Sequence, residues 1–186
     1  MAQITNLPLE IVLSEDYVRL FVYPGGEEGR RKQYYVDTTI YVRHADGCFP
    51  DDSWFDSTNI VLWKWEYSIL SHIGYKSASY DLPFVDQDCF KMRVKQNGNH
   101  LTVEGVNKWM AFGPVVEFTV ECTVQDMLHA MLDAYKQYKR IVFTSDCIQK
   151  ESEVQQELLN TISKGRDRIR QALLDLGERE VAEMTE

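Results

Sequence analysis

Gly113-Pro114-Val115-Val116-Glu117-Phe118-Thr119-Val120-Glu121-Cys122-Thr123-Val124-Gln125-Asp126-Met127-Leu128 changes its period halfway along. Up to Cys122 the alternation is twofold. Val116, Phe118, Val120 and Cys122 share one side, and Glu117, Thr119 and Glu121 share the other. Successive side chains of a strand point to opposite faces, so this pattern predicts a strand with one face on a core. Beyond Thr123, Leu128, Met131, Leu132, Tyr135, Tyr138 and Val142 recur at helical spacing. Thr123-x-x-Asp126 at the junction fits a capping box, with aspartate in the place glutamate usually takes.

Upstream the chain reads as strands. Tyr17–Tyr23 sets Val18, Leu20 and Val22 against Tyr17, Arg19, Phe21 and Tyr23. Tyr34–Val42 sets Val36, Ile40 and Val42 against Tyr35, Asp37, Thr39 and Tyr41. Pro24 to Lys32 joins the two as a long hairpin loop; its three glycines lack the Gly-Lys-Ser/Thr ending of a phosphate loop. Asn59–Ile69 alternates as well and reads as a strand carrying Val61, Trp63, Trp65, Tyr67 and Ile69 on one face, with a helix as the alternative. Gly74–Gln87 reads as a loop. Cys89–Gln96 and His100–Val106 form a hairpin closed by Asn97-Gly98-Asn99, since Asn-Gly supplies the positive φ of a tight turn.

Downstream, a second helix starts near Ser145 or Ser152, with Val154, Leu158, Ile162, Ile169, Leu173 and Leu176 as its apolar stripe. Gly165 is a candidate kink and Gly177 a candidate stop. Strands first and helices last predict an α+β fold. The expectation is a single domain over 1–186: an antiparallel β-sheet from about 10–122, covered on one face by two C-terminal helices at about 124–142 and 146–176, then an acidic tail at 178–186. The C-terminal stripe also offers a surface for homodimer assembly.

The formal charge is −9 and is concentrated. Residues 45–90 hold eight acids against two bases, and the last nine residues hold four against one. The first segment also carries three of the four tryptophans. Such a balance disfavours nucleic acid and anionic membranes, which repel carboxylates, and favours a basic protein partner. No signal peptide or apolar run of membrane-spanning length is visible, so a cytoplasmic location is expected. Cys48, Cys89, Cys122 and Cys147 are widely spaced and read as reduced thiols.

Chemistry is sparsely marked. His44, His72, His100 and His129 are scattered, with no His-x-x-x-His pair, and no Gly-x-Ser-x-Gly elbow is present. The reading therefore carries no catalytic residue, no metal site and no cofactor. The partner-binding residues it favours are Asp51, Asp52, Trp54, Phe55 and Asp56 in one acidic loop and Tyr80, Asp81, Asp86 and Asp88 in another. Trp63 and Trp65 are assigned to the core. A small carboxylate enzyme using Asp81, Asp86, Asp88 and His100 is an alternative, as is an assembly protein built on the last helix.

Asp51-Asp52-Ser53-Trp54-Phe55-Asp56-Ser57, the following Leu62-Trp63-Lys64-Trp65-Glu66 and the sheet-to-helix ending from Gly113 to Ala134 together resemble the small immunity proteins of bacterial contact-dependent and polymorphic toxin systems. The resemblance implies a cytosolic α+β protein without catalytic residues. It would bind a toxin domain directly, most simply a basic nuclease, and block its active site or substrate groove. The resemblance assigns no individual site residue.

Overall fold

The computed structural model describes residues 8–23, 33–85 and 89–183, with the side chains of 178–183 outside the description. The loop expected at 24–32, the candidates Asp86 and Asp88, and the charges of the acidic tail therefore lie outside the described residues.

The strands are β1 Leu9–Tyr23, β2 Gln33–His44, β3 Gly47–Phe49, β4 Phe55–Ser57, β5 Ser77–Pro83, β6 Phe90–Asn97, β7 His100–Asn107 and β8 Val115–Thr123. The helices are α1 Thr58–His72, α2 Val124–Thr144, α3 Asp146–Gln149 and α4 Ser152–Glu183. The α+β class holds, and every strand pairing among the described residues is antiparallel. The strands divide into two sheets of four. In the first, β1 pairs β2, which pairs both β3 and β4; the second is a meander in the order β5-β6-β7-β8.

The β1–β2 ladder has one irregularity. Ser14 pairs Thr39 and Val18 pairs Thr38, so Glu15, Asp16 and Tyr17 bulge out of register. Leu9, Ile11 and Leu13 face the core before the bulge, and Val18 and Leu20 pack against it after. The sheets meet around Phe49, whose ring lies edge-on to Phe84, Phe90 and Phe118. Gly105 lies beneath Phe118; a Cβ there would stand 2.1 Å from its ring, so only glycine fits.

Residues 58–72 form helix α1, not the strand the alternation predicted. The run is apolar on both strand faces, so twofold period does not discriminate. Val61, Leu62, Trp65 and Ile69 are buried at helical spacing. This separates the two tryptophans expected together: Trp65 is 0% exposed and Trp63 51%. The Trp65 indole N–H donates to the Pro83 carbonyl at 2.7 Å, tying α1 to the end of β5. Residues 77–83, read as loop, form edge strand β5 with Tyr80 and Leu82 inward. Its glycine- and proline-bearing flanks masked a short strand.

The capping box forms as expected. Thr123 Oγ1 accepts from Asp126 N at 3.1 Å, and an Asp126 carboxylate oxygen accepts from Thr123 N at 2.9 Å. From α2, Gln137 donates to the Ile11 carbonyl and accepts from Leu13 N, both at 2.9 Å, continuing the hydrogen bonding of edge strand β1.

The stripe of α4 is occupied within the chain. Val154, Leu158, Ile162 and Ile169 are buried, and α4 packs on α2, α1 and α3. Gly165 does not break the helix, which also continues past Gly177. Instead Gly165 permits close approach: a Cβ there would meet Glu66 and Tyr135 oxygens at 2.8 Å. At that crossing buried Glu66 accepts from Tyr135 Oη and from Arg168 Nε, both at 2.5 Å.

Candidate partner-binding surface

The acidic loop between β3 and β4 is shaped by its own carboxylates. Asp51 Oδ1 accepts from Ser53 N at 2.9 Å and Ser53 Oγ at 2.7 Å, and Trp54 N reaches the Asp51 carbonyl at 3.3 Å. This is an Asx turn, which leaves Asp51 and Asp52 exposed. The Trp54 carbonyl accepts from Ile40 N at 2.9 Å and anchors the loop to β2.

Asp56 points the other way and is 2% exposed. Its carboxylate accepts from Ser57 N and Val85 N, both at 2.7 Å, and from the Trp54 indole at 3.4 Å. Asp56 thus acts as a staple. It also brings the loop against Val85, the described residue next to Asp86. Tyr80 is buried too, stacked on His72 at 4.3 Å. Burial, with the Cys122 thiol nearby, pushes its hydroxyl pKa up. Asp81 lies on the outer face of the second sheet, ion-paired to Lys91 at 2.5 Å. Of the described candidates, Asp51, Asp52, Trp54 and Phe55 stand together, Asp56 and Tyr80 hold structure, and Asp81 sits on a separate face.

Phe55 connects this loop to a surface that charge counting missed. On the outer face of the first sheet, Tyr17, Arg19, Phe21 and Tyr23 of β1 lie beside Tyr35, Asp37 and Tyr41 of β2 and Phe55 and Ser57 of β4. Tyr17 and Phe55 meet edge to face at 4.5 Å, and Tyr23 and Tyr35 at 5.5 Å. Phe21, Tyr23 and Phe55 remain substantially exposed. The signal was present in sequence: the outward set of each strand is aromatic where solvent-facing sets are usually polar.

A second exposed apolar group sits on the β7–β8 connection. Trp109, Met110 and Phe112 on it, and Val115 and Val116 at the start of β8, are all exposed. Val116 does not face the core as the alternation predicted, because the β7–β8 register shifts between Gly105 and Val106 and leaves Glu117 out of the pairing. The connection is ordered by Asn107 Oδ1, which accepts from Trp109 N at 2.8 Å, and by Lys108 N donating to the Cys89 carbonyl at 2.8 Å. The Phe90 ring touches Trp54 at 4.8 Å and Trp109 at 6.3 Å, so this connection adjoins the acidic loop.

Other chemistry is dispersed. Asp81 and His100 do not converge: Asp81 pairs Arg93, which in turn pairs Glu104, while His100 pairs Asn97 at the far end of the hairpin. Burial pushes the Cys122 thiol up to about 12, so it stays protonated and unreactive at neutral pH. Among the described residues no group of three or more His, Cys, Asp and Glu side chains is placed to hold a metal ion. No described helix is long and apolar enough to cross a membrane. Comparison of the chain with protein-family models, with curated proteins and with solved structures finds no match.

Proposed function

We propose that this chain is an immunity protein that neutralises a basic toxin domain, of nuclease type, by direct contact. One observation carries the reading: an aromatic face on the first sheet continues through Phe55 into the exposed carboxylates Asp51 and Asp52. Tyrosine and tryptophan bury much area with few rotatable bonds, which makes them interface anchors. Carboxylates at the rim speed encounter with a cationic partner and reject anionic ones. A basic nuclease offers the matching charge, because its substrate groove must attract phosphates.

The test is rescue of growth. The chain is co-expressed with the toxin domain encoded beside its gene, and complex formation is followed by calorimetry. Rescue with a stoichiometric complex is expected. Association should slow as salt rises, since screening over about 8 Å at physiological ionic strength weakens steering. The doubly substituted Asp51→Lys, Asp52→Lys chain should associate at least about tenfold more slowly. Growth arrest that co-expression does not relieve, or a complex indifferent to both salt and the double substitution, would sink the reading.

A further inference from the structure

Twice on the outer face of the first sheet the chain lays one of its own guanidiniums over a tyrosine ring. Arg19 sits 4.3 Å from the Tyr17 centroid. Arg43 sits 5.8 Å from that of Tyr41, donates to its hydroxyl at 3.1 Å, and completes its charge balance on Glu10 at 2.9 Å. A third aromatic cluster on the same face has no such cover among the described residues. Phe21, Tyr23 and Tyr35 wall a cleft of about 330 Å³ with Asp37 and Ser57.

The acid there is half satisfied. Asp37 Oδ1 accepts from Ser57 Oγ at 2.7 Å. Arg19 stands directly across from Asp37 in the strand register, yet its guanidinium lies on Tyr17, and no described cation pairs with Asp37. Aromatic walls and a carboxylate that no described cation pairs make a site complementary to a planar cation. Guanidinium fits better than ammonium, because it stacks on rings and donates two parallel hydrogen bonds to a carboxylate.

The geometry points to the Phe21–Tyr23–Tyr35–Asp37 cleft as a receptor for an arginine side chain of the protein partner. The identity of that partner rests on the immunity reading above; the ligand chemistry rests on the cleft alone. The guanidinium lies against Tyr23 or Tyr35 as Arg19 lies on Tyr17, with its N–H groups donating to Asp37. An inserted arginine of this kind would fix the register of a partner otherwise held by steering and apolar contact.

The full-length chain, labelled for backbone amide NMR, is titrated with N-acetylarginine methylamide, with its lysine counterpart and with its uncharged citrulline counterpart. Saturable shifts at Phe21, Tyr23, Tyr35, Asp37 and Ser57 are expected for arginine, weaker ones for lysine and none for citrulline. Asp37→Asn keeps an acceptor for Ser57 and should weaken arginine binding about tenfold, the scale of one hydrogen bond to a charged group. Tyr35→Leu, confirmed as folded by circular dichroism, should weaken it as well with the carboxylate intact. No saturable response to arginine, an equal response to citrulline, or affinity unchanged in Asp37→Asn overturns the inference. Growth rescue without an arginine response would leave the immunity reading standing and remove the cleft from it. An arginine response without rescue would keep the cleft and remove the toxin as its partner.

Discussion

Asp56 shows how one residue separates charge from function. It belongs to the most acidic stretch of the chain, yet its carboxylate serves the backbone of Ser57 and Val85 and is shielded from solvent. Removing a buried acceptor strands its donors, so Asp56→Ala should cost about 2–3 kcal/mol in urea unfolding. Asp51→Asn with Asp52→Asn should stay within about 0.5 kcal/mol of the parent. Equal losses in the two variants would show that the loop is not held as described. The same distinction applies to Trp63 and Trp65. Composition counts them alike, but only the latter has an indole partner and a full set of neighbours.

At the scale of elements, legibility in the sequence followed the clarity of the period. β6, β7 and α2 were readable because their apolar residues obey one period and their ends carry Asn-Gly or a capping box. β8 was readable except at Val116, where the register shift breaks the alternation. α1 was not, because Ile60, Val61, Leu62 and Trp63 are apolar in succession and satisfy a strand and a helix alike. β5 was hidden by its shortness and by Pro83 at its end. Asp51, Asp52, Trp54 and Phe55 were found through charge and aromatic content. The aromatic face of the first sheet was missed because its residues lie on three strands and unite only through pairing. The last helix reads as an assembly surface because a stripe does not say what covers it; in the fold Val154, Leu158, Ile162 and Ile169 are covered within the chain, while Leu173 and Leu176 are partly buried. Leu158 is buried in that contact, so Leu158→Ala should cost about 2–5 kcal/mol. A chain ending at Lys150 should lose its cooperative thermal transition by circular dichroism. A truncated chain that melts cooperatively would show that α4 is dispensable to the fold.

For the whole molecule, the buried acids with raised pKa values set an alkaline limit. Burial lifts the Cys122 thiol from 9.0 and the Tyr34 hydroxyl from 10.0, each to about 12. Tyr80, Tyr135 and Tyr138 are raised as well, burial again the largest cause. Unfolded, these groups release protons near their ordinary values, while the folded chain retains them to higher pH. The unfolded state therefore binds fewer protons in this window, and stability falls as pH rises from about 9 towards 12. The urea midpoint should drop across that range, with tyrosinate absorbance at 295 nm appearing together with unfolding. Tyrosines that all ionise near pH 10 in a chain still folded by circular dichroism would contradict this burial.

The displaced residues Glu15, Asp16 and Tyr17 set a rule for how the first sheet tolerates changes of length. Odd-numbered residues of β1 face the core before them, and even-numbered ones after. Because three residues are inserted, an odd number, the parity of the strand inverts there. Arg19, Phe21 and Tyr23 are outward because of that inversion. Which residues face the core is set by pairing with β2, so the displaced segment can lose or gain a residue while Val18 stays on Thr38 and Leu20 on Val36. A slip of one residue within the paired stretch would instead turn Arg19 and its aromatic neighbours into the core and Val18 and Leu20 out to solvent. Insertions and deletions should therefore be absorbed at Glu15, Asp16 and Tyr17 and resisted in the ladder on either side.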